Sequence, residues 1–408
     1  MAVIVQNGMV FLEGRFEKKD ILIDGEAFVQ IAEPGQLDAG QREKERCLET
    51  EPGKGCGTYF AGETEKENLQ VIDVAGNYIL PGLVDIHTHG RAGEDFSLLV
   101  EGSLERLCAS YAACGVTSVV GTTMTNRTEL VEESIYRMGR YMEQENQGGA
   151  RLLGIHMEGP FLGQEKKGAH DAAYFRLPDC DYVKKLQELC GGTIRLLTMD
   201  PLLYGAEELI QYCRKQGIRV SLGHTACDYD TAIRMQKAGA DHVAHLFNAM
   251  NPLHHREPGL VGAALDTGMY AELICDGFHL HPAIIRLMFA AHPERMVLIS
   301  DSMPAAGLLD GAYSLGGLKV IVKEGKALQE DGTIAGSTVS LYEAMVQTIR
   351  FGIPKEIAVN SATRLPAEAL GLESVAGSIG IGRRADFLVV TAEWNLEQVF
   401  LGGRALVR

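Results

Sequence analysis

The run Tyr-Ile-Leu-Pro-Gly-Leu-Val-Asp-Ile-His-Thr-His-Gly, residues 78–90, sets an apolar strand pattern (78–86) directly against two histidines. In an extended chain, residues two apart point the same way, so His87 and His89 would share one face. Downstream of Val71 the same texture recurs. Apolar runs at 117–122, 152–157, 194–199, 219–222, 241–245, 271–275 and 296–299 alternate with helix-length segments. Together with 78–86 they make eight strand candidates. Eight βα units over this span predict a (β/α)8 barrel of the usual ~250 residues. Two of the intervening segments, 101–114 and 206–216, stop at Gly115 and Gly217, as helices do.

The flanks read differently. Residues 1–34 alternate short apolar runs with Asn7-Gly8 and Asp24-Gly25, the strongest short hairpin signals. Residues 35–69 are rich in Gly, Glu, Lys and Gln without apolar periodicity, and read as a solvated insertion or long hairpin tip. After the last barrel run come hairpin-like segments at 317–322 and 326–328, a helix around 340–351 and a strand at 385–390. The expectation is an α/β chain whose two ends jointly form a small β-sandwich beside the barrel. Its divisions would be 1–76 (with the polar insertion at 35–69), 77–365 and 366–408.

Composition narrows the function classes. The 408 residues are 46% hydrophobic and 23% charged, ordinary for a soluble globular chain. With 38 basic against 54 acidic residues the net charge is −16, which argues against a nucleic-acid surface. An anionic ligand would need a local cluster of Arg, His and backbone N–H groups. The nine cysteines are scattered without a Cys-x-x-Cys pair, which fits a reducing compartment. No basic region precedes the apolar start, and no uncharged apolar run reaches the ~18 residues of a membrane helix. A cytoplasmic location without membrane partners is expected.

Chemistry-bearing residues cluster at the predicted strand ends. Glu158 ends the third in Gly-Ile-His-Met-Glu-Gly-Pro, His224 follows the fifth in Gly-His-Thr, His245 ends the sixth, and Asp301 ends the eighth in Ser-Asp-Ser-Met. Barrel active sites are built at the C-terminal ends of the strands, so these residues would converge with His87 and His89. Imidazole and carboxylate ligands suit zinc, iron, manganese or cobalt. Such an ion acidifies bound water and polarises a carbonyl, which supports hydrolysis. Asp301 is the candidate general acid/base. The loop Phe-Asn-Ala-Met-Asn-Pro-Leu-His-His-Arg-Glu-Pro-Gly (247–259) carries Asn248, Ala249 and Arg256, and its Arg could grip a phosphate by bidentate contact. Asp276-Gly277-Phe278-His279 follows the seventh strand, and Lys167-Gly168-Ala169-His170 could roof the site. His242, His281 and His292 read as structural or surface residues. His156 could face inward, without an assigned role.

These ordered motifs, with Ile-Ala-Gly-Ser (334–337) and Gly-Arg-Arg-Ala-Asp-Phe (382–387), resemble the N-acetylglucosamine-6-phosphate deacetylases of the amidohydrolase superfamily from Val3 to Leu406. The resemblance implies a distorted (β/α)8 TIM barrel with a small β-sandwich, usually a homodimer. It implies metal ligation by Glu158, His224 and His245, and Asp301 as catalytic acid/base. His279 would position or polarise the acetamide carbonyl. Ala169, His170, Asn248, Ala249, Arg256, Asp276, Gly277, Phe278, His279, Ile334, Ala335 and Gly336 would bind the sugar phosphate, in places near a neighbouring subunit. Because His87 and His89 are both present, a second metal bridged by Glu158 is expected, with zinc first among the candidate ions. No lysine stands at 197–200 to act as the bridge found in many amidohydrolases. The 4-epimer N-acetylgalactosamine 6-phosphate, a cyclic amide, or a non-catalytic sugar-phosphate sensor are the alternatives.

Overall fold

The computed structural model describes residues 2–37, 69–144 and 148–407, so most of the polar stretch 35–69 lies outside the described residues. Two compact units emerge, Met1–Pro81 with Ile379–Ala405, and Gly82–Ser378 with Leu406–Arg408. These divisions fall later in the chain than the expected 76 and 365.

The larger unit is an eight-stranded parallel barrel. Its strands are β1 (Leu83–Thr88), β2 (Val116–Thr123), β3 (Arg151–Glu158), β4 (Ile194–Met199), β5 (Arg219–Leu222), β6 (His242–Val243), β7 (Tyr270–Leu273) and β8 (Met296–Leu298), hydrogen-bonded in chain order. The helices are α1 (Ser103–Ala113), α2 (Thr128–Met142), α3 (Cys180–Leu189), α4 (Ala206–Lys215), α5 (Tyr229–Ala238), α6 (Gly259–Thr267), α7 (Pro282–Ala291), α8 (Leu341–Arg350), α9 (Lys355–Ala362) and α10 (Arg364–Ala369). Strands of this kind are covered on both faces, which is why they read as apolar runs rather than alternating ones. Every residue of β1 and β2 is buried. In α4, Ala206, Leu209, Ile210 and Cys213 form the buried stripe, with Glu207 and Glu208 in the first turn and Arg214 and Lys215 in the last.

One correction concerns the stretch that opened the sequence reading. The apolar run 78–86 is two strands rather than one. Tyr78–Pro81 joins the smaller unit's sheet, and only Leu83–Thr88 enters the barrel. Within β1, Val84 and Ile86 pack into an apolar cluster with Val297, Ile299, Leu365 and Ala367. The pleat therefore turns Asp85 and His87 to the other face.

The ring closes at its mouth. The Asp301 N–H donates to the His87 carbonyl (3.0 Å), and the His89 and Gly90 N–H groups donate to the Ser302 carbonyl (2.8 and 3.0 Å). Beyond β8 a three-stranded antiparallel excursion (Gly311–Leu315, Leu318–Lys323, Lys326–Leu328) leads back to the mouth. Ala335 N–H donates to Ala327 O (3.1 Å) and Ser337 N–H to Asp301 O (2.7 Å). Helix α8 then starts from a capping box, in which Ser340 Oγ accepts the Glu343 N–H and Glu343 accepts the Ser340 N–H.

In the smaller unit both chain ends contribute to one hydrogen-bonded sheet. Its order is Arg404–Ala405, Leu396–Leu401, Phe387–Val390, Tyr78–Pro81, Ala2–Leu12, Arg15–Asp24, Ala27–Ala32, with Leu69–Asp73 also paired to Ala2–Leu12. The sheet folds back on itself, because Phe28 N–H donates to Arg383 O (2.9 Å) and Ala385 N–H to Glu26 O (2.7 Å). Val5, Val10, Ile21, Phe28, Phe387 and Phe400 share the enclosed core. Among the described residues, no helix is long and apolar enough to cross a membrane.

Ser340→Ala removes the cap that starts α8 and is expected to cost about 1 kcal/mol. A urea-denaturation midpoint indistinguishable from wild type would show that the cap is redundant.

Candidate metal centre

Strand β3 delivers the Glu158 carboxylate to the barrel mouth, where it is only 2% exposed. A bare carboxylate at such burial is strongly disfavoured, so its surroundings must compensate. They do so with imidazoles. Glu158 Oε1 lies 3.0 Å from His245 Nε2, 3.2 Å from His224 Nε2 and 3.3 Å from His87 Nε2. Glu158 Oε2 lies 3.2 Å from His89 Nε2 and 3.1 Å from His170 Nε2. Asp301 Oδ1 approaches His89 Nε2 at 3.2 Å and His87 Nε2 at 3.7 Å. Donor atoms of His87, His89 and Asp301 lie within 4.8 Å of one another, as do those of Glu158, His170 and His224.

Hydrogen bonds on the far side of each ring assign its tautomer. His224 Nδ1 donates to the Lys166 carbonyl (3.0 Å) and His87 Nδ1 to Glu272 Oε2 (2.7 Å). Both rings therefore aim a bare Nε2 lone pair inward, toward Glu158 oxygens that also carry lone pairs. His87 Nε2 and Asp301 Oδ1 are buried without a hydrogen-bond partner. Lone pairs converging on lone pairs require a cation between them, and this donor set fits a divalent metal. His170 is wired the opposite way. Thr125 N–H donates to its Nδ1 (3.3 Å), which leaves the ring proton on Nε2 facing Glu158. Its distance suits a ligand, but its tautomer makes it a hydrogen-bond donor to the carboxylate.

The electrostatics agree. In the metal-free chain, where inward lone pairs can take up protons instead, burial opposes charge on Glu158, yet the His87 charge and hydrogen bonds from His170 and His224 hold it well below the usual carboxylate range. Burial likewise opposes charge on His87, but Glu272 and Glu158 hold it well above its ordinary value. His89 follows the same logic, raised to about 9 against burial by Asp301 and Glu158. A centre that draws protons onto two imidazoles is one whose charge balance calls for a cation. Burial pushes His170 down to about 4, so it stays neutral.

Backbone strain concentrates here. His224 (φ 49°), His245 (φ 25°), Ala249 (φ 50°) and Asp301 (φ 47°) all occupy the left-handed region. Such conformations in non-glycine residues persist only when the surroundings enforce them, and they mark functional sites. Gly168 (φ +54°) passes so close to His224 that a Cβ there would sit 3.0 Å from His224 Cε1.

The other sequence candidates surround this centre to differing degrees. Asn248 donates its side-chain amide to the His245 carbonyl (3.2 Å), and the Ala249 carbonyl accepts the Thr225 N–H (3.0 Å). Ala169 is buried, and Ile334, Ala335 and Gly336 lead into the Ser337 bond to Asp301. Asp276 clamps the loop after β7, accepting the Phe278 and His279 N–H groups (2.8 Å each) and the His279 Nδ1–H (2.6 Å). Gly277 turns that loop at φ +80°. Arg256 is exposed and bonded to His255 Nε2 (2.8 Å). Among the described residues no hydrogen bond or ion pair joins Arg256 or His279 to the Glu158 cluster. His156 is locked between Thr122 and Thr198 (3.2 and 2.8 Å), behind His87.

Sequence reasoning missed Glu272 and Asp85, both wholly buried. Burial raises the Asp85 carboxyl to about 7, although it accepts the Ser300 N–H (3.3 Å). The signal was an acidic residue inside an apolar strand run.

Residues 78–406 match the family model described as the amidohydrolase family. The chain belongs to that family. This amidohydrolase is 37% identical over 324 residues to the N-acetylglucosamine-6-phosphate deacetylase of Bacillus subtilis (strain 168), a match covering 78% of this chain and 82% of the relative. It is 35% identical to the N-acetylgalactosamine-6-phosphate deacetylase of Escherichia coli O157:H7, covering 82% and 89%. Among solved structures, N-acetylglucosamine-6-phosphate deacetylase from Pasteurella multocida superposes with a TM-score of 0.87 at 27% identity, covering all of both chains. The Mycobacterium smegmatis deacetylase, an aspartate-to-alanine mutant in complex with N-acetyl-D-glucosamine-6-phosphate, gives 0.84 at 29%, covering 100% of this chain and 99% of that one.

Gly168→Ala in this amidohydrolase adds left-handed strain and a methyl group against His224. We expect lower metal content by elemental analysis in a chain that still folds, and wild-type metal content would overturn that reading of the loop.

Proposed function

We propose that this amidohydrolase cleaves the acetamide of N-acetyl-D-glucosamine 6-phosphate, releasing D-glucosamine 6-phosphate and acetate. The carrying observation is the buried Glu158 carboxylate ringed by inward lone pairs, with Asp301 beside it at the mouth. Glu158, His224 and His245 would hold one divalent metal, and His87 and His89 a second that shares Glu158, zinc being the first candidate. A cation so held acidifies bound water and polarises the acetyl carbonyl.

The chain's own groups supply the rest. Asp301, held ionised against its burial by His89 and His87, is ready to accept a proton. It would then deliver that proton to the departing amine nitrogen. His279, anchored through Nδ1 by Asp276, would orient the acetamide. His170 would steady Glu158 or a substrate oxygen with its Nε2–H. Residues 169, 248–249, 276–279 and 334–336 would line the sugar phosphate. The exposed Arg256 suits a phosphate contact completed at the boundary of a homodimer. A cytoplasmic enzyme fits the seven described cysteines, all of them free.

N-Acetylgalactosamine 6-phosphate is the second reading, favoured by the comparable similarity to the Escherichia coli O157:H7 enzyme. Acetate release measured side by side on the two sugars separates them. Activity on neither would sink both.

Two variants probe the roles. Asp301→Asn is expected to lower turnover by about 10²–10⁴-fold with metal content intact, and near-normal turnover would remove Asp301 from the mechanism. His87→Ala/His89→Ala should reduce the metal from two ions per chain towards one, by elemental analysis. An unchanged count would mean the pair holds no metal.

A further inference from the structure

Glu272 sits in the middle of β7, fully buried in the run Tyr-Ala-Glu-Leu. One of its oxygens, Oε2, accepts the His87 Nδ1–H at 2.7 Å and the His245 backbone N–H at 3.3 Å. Its other oxygen, Oε1, is buried without a partner. A buried carboxylate with a bare oxygen is a poor stabiliser of a fold, so its presence asks for another purpose.

The contacts supply one. His87 has two ring nitrogens and, when neutral, one proton. An acceptor at Nδ1 keeps the proton there and leaves the lone pair on Nε2, which faces Glu158 Oε1 at 3.3 Å. Without that acceptor the ring could turn its proton inward, where it would repel a cation. The same oxygen ties down the backbone of His245, whose φ of 25° is otherwise unfavourable.

We infer that Glu272 is the positioning residue for both metal positions. It sets the tautomer of a ligand of one ion and the backbone of a ligand of the other. This rests on the proposed ligation by His87 and His245.

The test compares two conservative variants of the zinc-loaded full-length chain by chelator competition and elemental analysis. Glu272→Asp keeps the charge but withdraws it by a methylene, whereas Glu272→Gln loses the charge but keeps an acceptor within reach. Glu272→Asp should weaken retention of both zinc ions, each by about 10–100-fold, and Glu272→Gln by less. Wild-type retention in Glu272→Asp, or a greater loss in Glu272→Gln, would overturn the inference. A merely structural role would lower the melting temperature of the metal-free chain and leave zinc retention alone, which also overturns it. His87→Ala serves as the reference. If it keeps both ions, the ligand reading itself fails and takes this inference with it. If it loses one while Glu272→Asp loses none, only the role of Glu272 falls.

Discussion

Everything at the barrel mouth answers to one constraint, the burial of the Glu158 charge. A carboxylate out of water is tolerable only when opposite charge and hydrogen bonds surround it. Here five imidazoles from four segments of chain take that role, and each needs its own orientation. That requirement explains the polar shell behind the ring: Lys166 O behind His224, Glu272 behind His87, Thr125 behind His170. The groups that touch Glu158 lie up to 87 residues from it in sequence. Only a closed ring of strands brings their ends to one point without long, floppy connections.

The same constraint accounts for where the backbone is strained. Left-handed conformations at non-glycine residues cost on the order of 1–3 kcal/mol each. Three of them fall on His224, His245 and Asp301, at the ends of three different strands. Register shifts interrupt β1 and β3 as well, but the left-handed backbone begins where each side chain must be turned inward. Burial of the apolar runs beneath, such as Val84, Ile86, Val297 and Ile299, supplies the stability that keeps those turns in place.

How much of this was legible in the chain follows from the same physics. Parallel strands buried on both faces leave continuous apolar runs, so 194–199 and 219–222 coincide with β4 and β5. The residues at the ends of the apolar runs of five strands, His87, Glu158, His224, His245 and Asp301, do meet, because the fold places every strand end on one rim. The break at Gly82 was hidden because Tyr78–Pro81 and Leu83–Thr88 are both apolar, and periodicity carries no sign of which sheet a strand joins. Glu272 was hidden for the opposite reason, since one acid inside an apolar run looks like noise until its partner across the barrel is known. The tautomer of His170 depends on a backbone N–H 45 residues away, which no local pattern encodes.

The left-handed turn at Asp301 has a consequence for the identity of the acid itself. Its N–H is bonded to His87 O and its C=O to Ser337 N–H, so φ 47° is held from both sides and is not free to relax. L-residues other than Asn and Asp adopt that conformation at a penalty of about 1–2 kcal/mol. A glutamate would carry the same functional group with a longer reach, but at the higher cost that Glu13 (φ 47°) and Glu324 (φ 53°) bear in exposed turns of this chain. The main chain at the seam of the barrel thus acts as a filter on the genetic alphabet. Of the two acidic residues, it favours the shorter one before any question of reactivity is asked.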